Sequence, residues 1–364
     1  MFTVYIKQFF LICLFFNVTS FYAITNYDLF ENKNVVVLGG TGYLGRAIAT
    51  EVLKYNPRRV TIFSRDEVKH YLVAKMFNNN PKVQHVIGDI RDYDSVMRVT
   101  QSADIVFHVA ALKRMDMLEN NVEEAIKTNV LSSMNIFNAC VANNVDKVLF
   151  ISTDKACSPI NTYGACKFVS EKIFTNYDTK KIKTKFMVTR FGNILESTGS
   201  VIPLFTEKIK NGEDIPLTDE RMTRFIVEKR EAVELIFNAL RYSVGGEIFV
   251  KRLPALKVTD LIEVLKVRFN GNNKIKVIGL RPGEKLHEVL INDSEMARAF
   301  RFDDYYVVTP SLPEWMPTAE QELPHYMKHG KSMKKAFLQE HYSSDEEVIS
   351  QEALTETFIK LGLF

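Results

Sequence analysis

At 364 residues, with 46% apolar and 25% charged side chains, the chain has ordinary globular composition and enough length to bury a large core. A formal net charge of +3, with no block of like charge, gives no nucleic-acid surface to expect. Cys13, Cys140, Cys157 and Cys166 form no Cys-x-x-Cys pair and no cluster with metal-ligand spacing, so reduced buried thiols, a cytoplasmic setting and no metal are expected.

Residues 1–26 carry the apolar run Phe9–Phe16 behind Lys7. It is too short to cross a bilayer and reads as a signal-peptide core, a marginal anchor or a dispensable extension. The folded domain is expected from Lys33. Val35–Leu38 is a buried strand, and Gly39-Gly40-Thr41-Gly42-Tyr43-Leu44-Gly45 leads into a helix over Ala47–Lys54. In the Gly39, Gly42, Gly45 spacing, the first two glycines let the backbone approach a pyrophosphate. The third lets helix and strand pack closely, and the helix N-terminus faces the anion.

The second strand, Val60–Phe63, ends at Ser64-Arg65-Asp66, with Lys69 one turn on. A hydroxyl and two cations suit the 2′-phosphate of NADP. Asp66 speaks for NAD, unless it only caps the next helix. Val83–Ile87 is a third strand, after which Asp89 and Ile90 would meet an adenine ring, and Ser95–Val99 is helical. Asp104–Val109 is a fourth strand, and Ala110 and Ala111 are small enough for close approach of a cofactor. Asn121–Ala142 is expected as one long helix, Lys147–Ile151 as strand five and Phe186–Arg190 as strand six. This alternation predicts an α/β, Rossmann-like doubly wound parallel sheet.

The stretch after strand five carries the chemistry. Pro159 forbids continuing the strand, and Tyr163–Lys167 opens a helix on which Tyr163 and Lys167 share a face. An ammonium beside a phenol favours phenolate, so Tyr163 is expected to have a lowered pKa and to serve as a base. Thr153-Asp154-Lys155 sits at the strand's C-terminal end, where open α/β sheets place their sites. Taken alone, the stretch also reads as a solvated Asp-Lys turn before an ordinary helix.

Beyond residue 193 the rhythm changes. A helix from Gly199 to Lys210, a strand at Ile215–Leu217 and a basic turn at Arg221–Phe225 come first. A helix at Lys229–Arg241, a strand at Glu247–Val250, a helix at Val258–Phe269 and a strand at Lys274–Ile278 follow, then Arg281-Pro282-Gly283-Glu284-Lys285. Trp315–Ser344 is polar and irregular, and Ser350–Leu361 is expected to be helical. The expected division is a leader at 1–26, a dinucleotide domain at 33–193, a smaller lobe at 194–310 interleaved with the sheet, and a tail at 311–364.

With these motifs in order, the chain resembles the extended short-chain dehydrogenase/reductase family. Within it, the chain is similar to the inverting UDP-N-acetylglucosamine 4,6-dehydratases of the polysaccharide-biosynthesis type. The resemblance covers roughly Asn34–Pro310, and weakly Tyr342-Ser343-Ser344. It implies bound NADP, UDP-N-acetylglucosamine as substrate and a homo-oligomer. It also implies Tyr163 as catalytic tyrosine with Lys167 as its partner, and Asp154 and Lys155, beside Thr153, as the elimination pair. Lys113, Asn193, Val201, Thr223, Arg281 and Glu284 would hold the sugar nucleotide. A membrane-bound retaining branch carries Met in place of Tyr163, so the tyrosine favours the inverting branch. In the elimination, Lys155 would need a lowered pKa and Asp154 a proton. A UDP-sugar 4-epimerase and a catalytically silent NADP-sensing protein are the alternatives.

Overall fold

Seven parallel strands, all but the edge strand at Val83–Ile87 largely buried, pair side by side to form the backbone of the molecule. The structure, a computed structural model, describes residues 27–195, 201–302, 304–311, 331–332 and 341–364. The leader, Gly199, Ser200 and Trp315 lie outside the described residues. In chain order the first half runs β1 (Asn34–Leu38), α1 (Tyr43–Leu53), β2 (Arg59–Ser64), α2 (Glu67–Met76), β3 (Val83–Ile87), α3 (Tyr93–Thr100) and β4 (Ile105–His108). It continues with α4 (Ser132–Ala142), β5 (Lys147–Ile151), α5 (Thr162–Thr175) and β6 (Lys185–Arg190). Strands buried on both faces need continuous apolar runs, and β1, β4 and β5 supply them.

The second half adds β7 (Asn193–Ile194), α6 (Val201–Lys210), β8 (Ile215–Leu217), β9 (Thr223–Val227), α7 (Lys229–Tyr242), β10 (Ile248–Lys251), β11 (Ala255–Lys257) and α8 (Val258–Phe269). Then come β12 (Ile275–Val277), β13 (Val289–Ile291), β14 (Ala299–Arg301), β15 (Tyr305–Val308), β16 (Lys331–Ser332), β17 (Tyr342–Ser343) and α9 (Gln351–Lys360). The main sheet has the order β16-β14-β15-β10-β6-β5-β4-β1-β2-β3. From β3 to β10 neighbouring strands are parallel, and β15, β14 and β16 are added antiparallel. Strand order reverses between β1 and β4, which pair from Val35↔Ile105 to Leu38↔His108. A crevice at the C-terminal ends of such strands is where doubly wound sheets bind ligands.

A second apolar cluster, separate from the sheet's, joins Phe205 and Ile209 of α6, Leu217, Ile226, Leu261 and Leu265 to Leu354 and Phe358 of α9. The final helix thus packs into this second cluster, and Tyr342 lies in the main core.

Three expectations need correction. The fold begins before Lys33: Phe30 is fully buried and packs on Phe237 with ring centroids 4.7 Å apart. Arg221–Phe225 is not a turn throughout, because Thr223–Val227 pairs with β7 and β11 as the middle strand of a small sheet. The expected long helix is broken by a π-helical segment, Ile126–Leu131, between a short turn at Val122–Ala125 and α4. The wider turn carries Asn129, whose amide accepts from Leu112 N and donates to Leu112 O, each at 2.9 Å. That clamp fixes the loop bearing Ala110–Lys113.

Candidate active site

The turn between β1 and α1 is shaped by close approach. Gly39 has φ +88°, and a Cβ there would stand 2.6 Å from Ala110 N. A Cβ on Gly45 would stand 2.5 Å from Gly39 O, so α1 can pack against the turn only with glycine there. Gly42 is the N-cap of α1 and supplies no side-chain cap, which leaves backbone N–H groups at the helix start for an anion. Leu44 and Ile90 are buried supports, Ala111 is half-buried, and the Tyr43 hydroxyl reaches Leu195 O at 3.5 Å. This cradle fits a dinucleotide pyrophosphate.

At the end of β2, Thr41 Oγ1 and Ser64 Oγ lie 2.9 Å apart, and Ser64 Oγ is 3.1 Å from His70 Nε2. His70 in turn meets His85 at 3.0 Å. The Ser64 hydroxyl is therefore held between two partners rather than presented alone. Asp66 accepts from Lys69 N at 2.9 Å, which makes it the cap of α2, and it pairs with Lys69 Nζ at 3.1 Å. Asp89 binds Arg91 at 2.7 Å and has Arg65 Nη1 at 3.6 Å. Arg65 and Lys69 remain at least half exposed beside the crevice.

Beyond β5 the chain makes a 3₁₀ turn, Asp154–Ala156, and α5 then starts at its cap Asn161. Asn161 accepts from Gly164 N at 2.7 Å and donates to Gly283 O at 2.8 Å, so one side chain caps the helix and docks the Arg281–Lys285 loop. A Cβ on Gly164 would be 2.2 Å from Lys155 O. Glycine after Tyr163 is what lets the helix abut the Asp154–Lys155 turn. Lys285 Nζ donates to Cys157 O at 2.5 Å, a second tie from the same loop.

Asp154 is buried, accepts from Thr153 Oγ1 at 2.7 Å and pairs with Lys155 Nζ at 3.1 Å. Its other oxygen, Oδ2, is buried without a hydrogen-bond partner. Lys155 Nζ also lies 3.3 Å from Glu288 Oε1. Burial opposes both charges, but their attraction outweighs it, so Asp154 is held below and Lys155 above its ordinary value. This reverses the expected directions: the amine is charged and the carboxyl ionised.

Tyr163 departs from expectation too. Burial pushes its phenol up to about 12, with Lys155 and the Thr153 hydrogen bond opposing and Asp154 adding to the rise. Lys167 is hydrogen-bonded to the main chain rather than to the phenol. Its ammonium donates to Ile151 O at 2.7 Å, lies 4.2 Å from the Phe150 ring centroid, and is lowered to about 7 by burial. The shared helical face was legible, but the carbonyl at the end of β5 claims the lysine.

The expected sugar-nucleotide residues are not equivalent. Lys113 is exposed, with its pKa lowered by the partial desolvation of its ammonium and then by Arg114. Asn193 and Arg281 are exposed, and Val201 is half-buried at the start of α6. Thr223 is a correction: its hydroxyl is buried between His287 Nδ1 at 2.8 Å and Ser344 Oγ at 2.6 Å, and so serves the framework. Glu284 meets Arg224 at 3.4 Å, while Arg224 also donates to the carbonyls of Thr223, Lys285 and Leu286. Glu288 and the fully buried Arg190, which holds Glu171 and Glu295, escaped the sequence reading. Glu288 lies three residues beyond the last motif residue, and its partners come from distant segments.

Residues 35–310 match the family described as "Polysaccharide biosynthesis protein". The chain belongs to that family. An inverting UDP-N-acetylglucosamine 4,6-dehydratase from Campylobacter jejuni is 39% identical over 288 residues, covering 78% of this chain and 85% of the relative. A UDP-glucose 4-epimerase from Rickettsia bellii is 37% identical over 339 residues, covering 92% and 97%. The crystal structure of Pen from Bacillus thuringiensis superposes with a TM-score of 0.82 at 36% identity, covering 91% of this chain and 99% of that one. Among the described residues no helix is long and apolar enough to cross a membrane.

Proposed function

We propose that this chain dehydrates a nucleotide sugar of the UDP-N-acetylglucosamine type, oxidising C4, expelling the C6 hydroxyl and inverting C5. The observation that carries this reading is the buried Asp154–Lys155 pair, 3.1 Å apart, beside Tyr163. A 4-epimerase on the same sheet needs only the tyrosine, a lysine and the cofactor. The Gly39–Gly45 turn and Ala110 would hold NADP, with Arg65 and Lys69 toward its 2′-phosphate. When bound, the nicotinamide supplies the acceptor for the C4 hydride and its return to C6.

Tyr163 takes the C4 hydroxyl proton; Lys155 and Thr153 are the neighbours that favour its ionised form. The Asp154–Lys155 pair holds one proton. Moving it from Nζ to Asp154 Oδ1 converts ammonium and carboxylate into amine and carboxylic acid together. The amine then removes the C5 proton, made acidic by the C4 ketone, and the acid protonates the departing C6 hydroxyl to water. The ion pair is restored; as hydride reaches C6 a solvent proton enters C5 from the opposite face and inverts that centre, and Tyr163 releases to solvent the proton it took from the C4 hydroxyl. Three buried thiols without disulfides, Cys140, Cys157 and Cys166, suit cytoplasmic work on such a substrate.

Incubation with UDP-N-acetylglucosamine tests the reading, with mass spectrometry for loss of one water and NMR at C5. A product of unchanged mass, altered only at C4, would replace it with the epimerase reading that the Rickettsia relative favours.

A further inference from the structure

Lys155 is flanked by two carboxylates, and only one belongs to the motif around it. Glu288 precedes β13, is 2% exposed, and brings Oε1 to 3.3 Å from Lys155 Nζ. Its backbone is fixed on both sides by Ser344: Glu288 N donates to Ser344 Oγ and Ser344 N donates to Glu288 O, each at 2.9 Å. The tail thus holds this carboxylate in place. Its Oε2 is buried without a hydrogen-bond partner, and Arg224 Nε is 3.8 Å from Oε1, too long for a strong competing bond. A buried carboxylate with so little else to do is costly unless its charge is used.

We propose that Glu288 is a positioning residue for the elimination step: it holds Lys155 between two carboxylates and is the fixed counter-charge of the ammonium formed when Lys155 takes the C5 proton. The proposal rests on the dehydratase reading. Besides Glu288, the charged and titratable groups facing Lys155 are Asp154 on its own turn, Tyr163 on α5 and Arg224 on β9, which Glu284 partly neutralises. Arg224 opposes the ammonium, so Asp154 alone must balance it where glutamine replaces Glu288. Glu288 therefore keeps one proton on the Asp154–Lys155 pair. Loss of that proton at high pH leaves an amine with no acid beside it, and elimination stops.

The experiment compares wild type, Glu288→Gln and Glu288→Asp, all first shown to bind NADP and to melt cooperatively. The ¹³Cε signal of Lys155, assigned by its loss in Lys155→Met, is titrated without substrate. The wild-type signal should keep the ammonium position through the ordinary lysine value of 10.5. In Glu288→Gln the midpoint should fall by about one pH unit or more, tenfold in the ionisation constant, and Glu288→Asp should restore part of it. Dehydration of UDP-N-acetylglucosamine by Glu288→Gln should slow at least about tenfold in kcat. Its alkaline limb should move to lower pH, with KM little changed. An unmoved midpoint and alkaline limb, even with activity lost, overturns the role of Glu288. A wild-type protein that releases no water overturns the dehydratase reading and the elimination role with it, while the Lys155 midpoint still decides the pairing.

Discussion

Tyr163 and Lys155 lie close together but would act on different bonds, which makes them separable by substitution. Tyr163→Phe should lower turnover by about 10²–10⁴-fold, with neither 4-ketone nor dehydrated product formed. Lys155→Ala should retain C4 oxidation and release no water, and solvent deuterium should not enter C5. Near wild-type dehydration by Lys155→Ala would remove the role given to the pair. The neighbouring Lys167 makes a different, thermodynamic prediction. Burial lowers its folded value to about 7 from 10.5 in the open chain. Between those values the unfolded chain holds a proton that the folded chain has released, so this group makes stability rise with pH across the window. Lys167→Met should flatten that rise in urea midpoints measured from pH 7 to 10. An unchanged slope would mean the ammonium stays charged in the fold.

Elements differ in how plainly their sequences announced them. The parallel strands β1, β4 and β5 were legible because burial on both faces demands unbroken apolar runs. The middle strand β9 was hidden by Arg221 and Arg224, whose charges read as a turn; Arg224 finds its partners on a loop some sixty residues on. The π-helical segment was illegible for a similar reason, since only the distant Leu112 explains why Asn129 widens the turn. At the start of α2, Asp66 is spent on capping, which leaves Arg65 as the exposed cation nearest the end of β2. Arg65→Ala should weaken NADP binding far more than NAD binding in calorimetry, and equal losses would remove the 2′-phosphate assignment. Arg190 joins β6 to two other elements through Glu171 on α5 at 2.6 Å and Glu295 at 2.9 Å. Arg190→Met would leave two buried carboxylates unbalanced and should cost about 3–5 kcal/mol in denaturant unfolding. A smaller loss would show that the glutamates take up protons instead.

For the molecule as a whole, the sheet and its glycine turn followed from local pattern, whereas closure of the site depends on segments that return from far along the chain. Ser344 pins Glu288, Tyr342 bonds Leu253 N at 2.7 Å, and α9 completes the second core. None of these contacts has a short-range signature, so the last residues looked like a tail. The amino-terminal edge shows the same effect. Reading the domain from Lys33 follows the first strand, but it omits Phe30, which is fully buried against Phe237 and stacks at 6.0 Å on Tyr55. Tyr27 extends the cluster edge-on to Tyr55 at 5.6 Å. A chain begun at Tyr27 should fold and turn over, because it keeps this cluster and the glycine turn. One begun at Lys33 loses the Phe30 ring and leaves a cavity between Tyr55 and Phe237 of α7, a change worth about 3–5 kcal/mol by analogy with Phe→Ala in a core. Urea unfolding of the two chains, with Phe30→Ala in the longer one as control, measures the difference. Equal midpoints for all three would show that the ring contributes nothing to holding α7 on the sheet, and the fold could then be taken to start at Lys33.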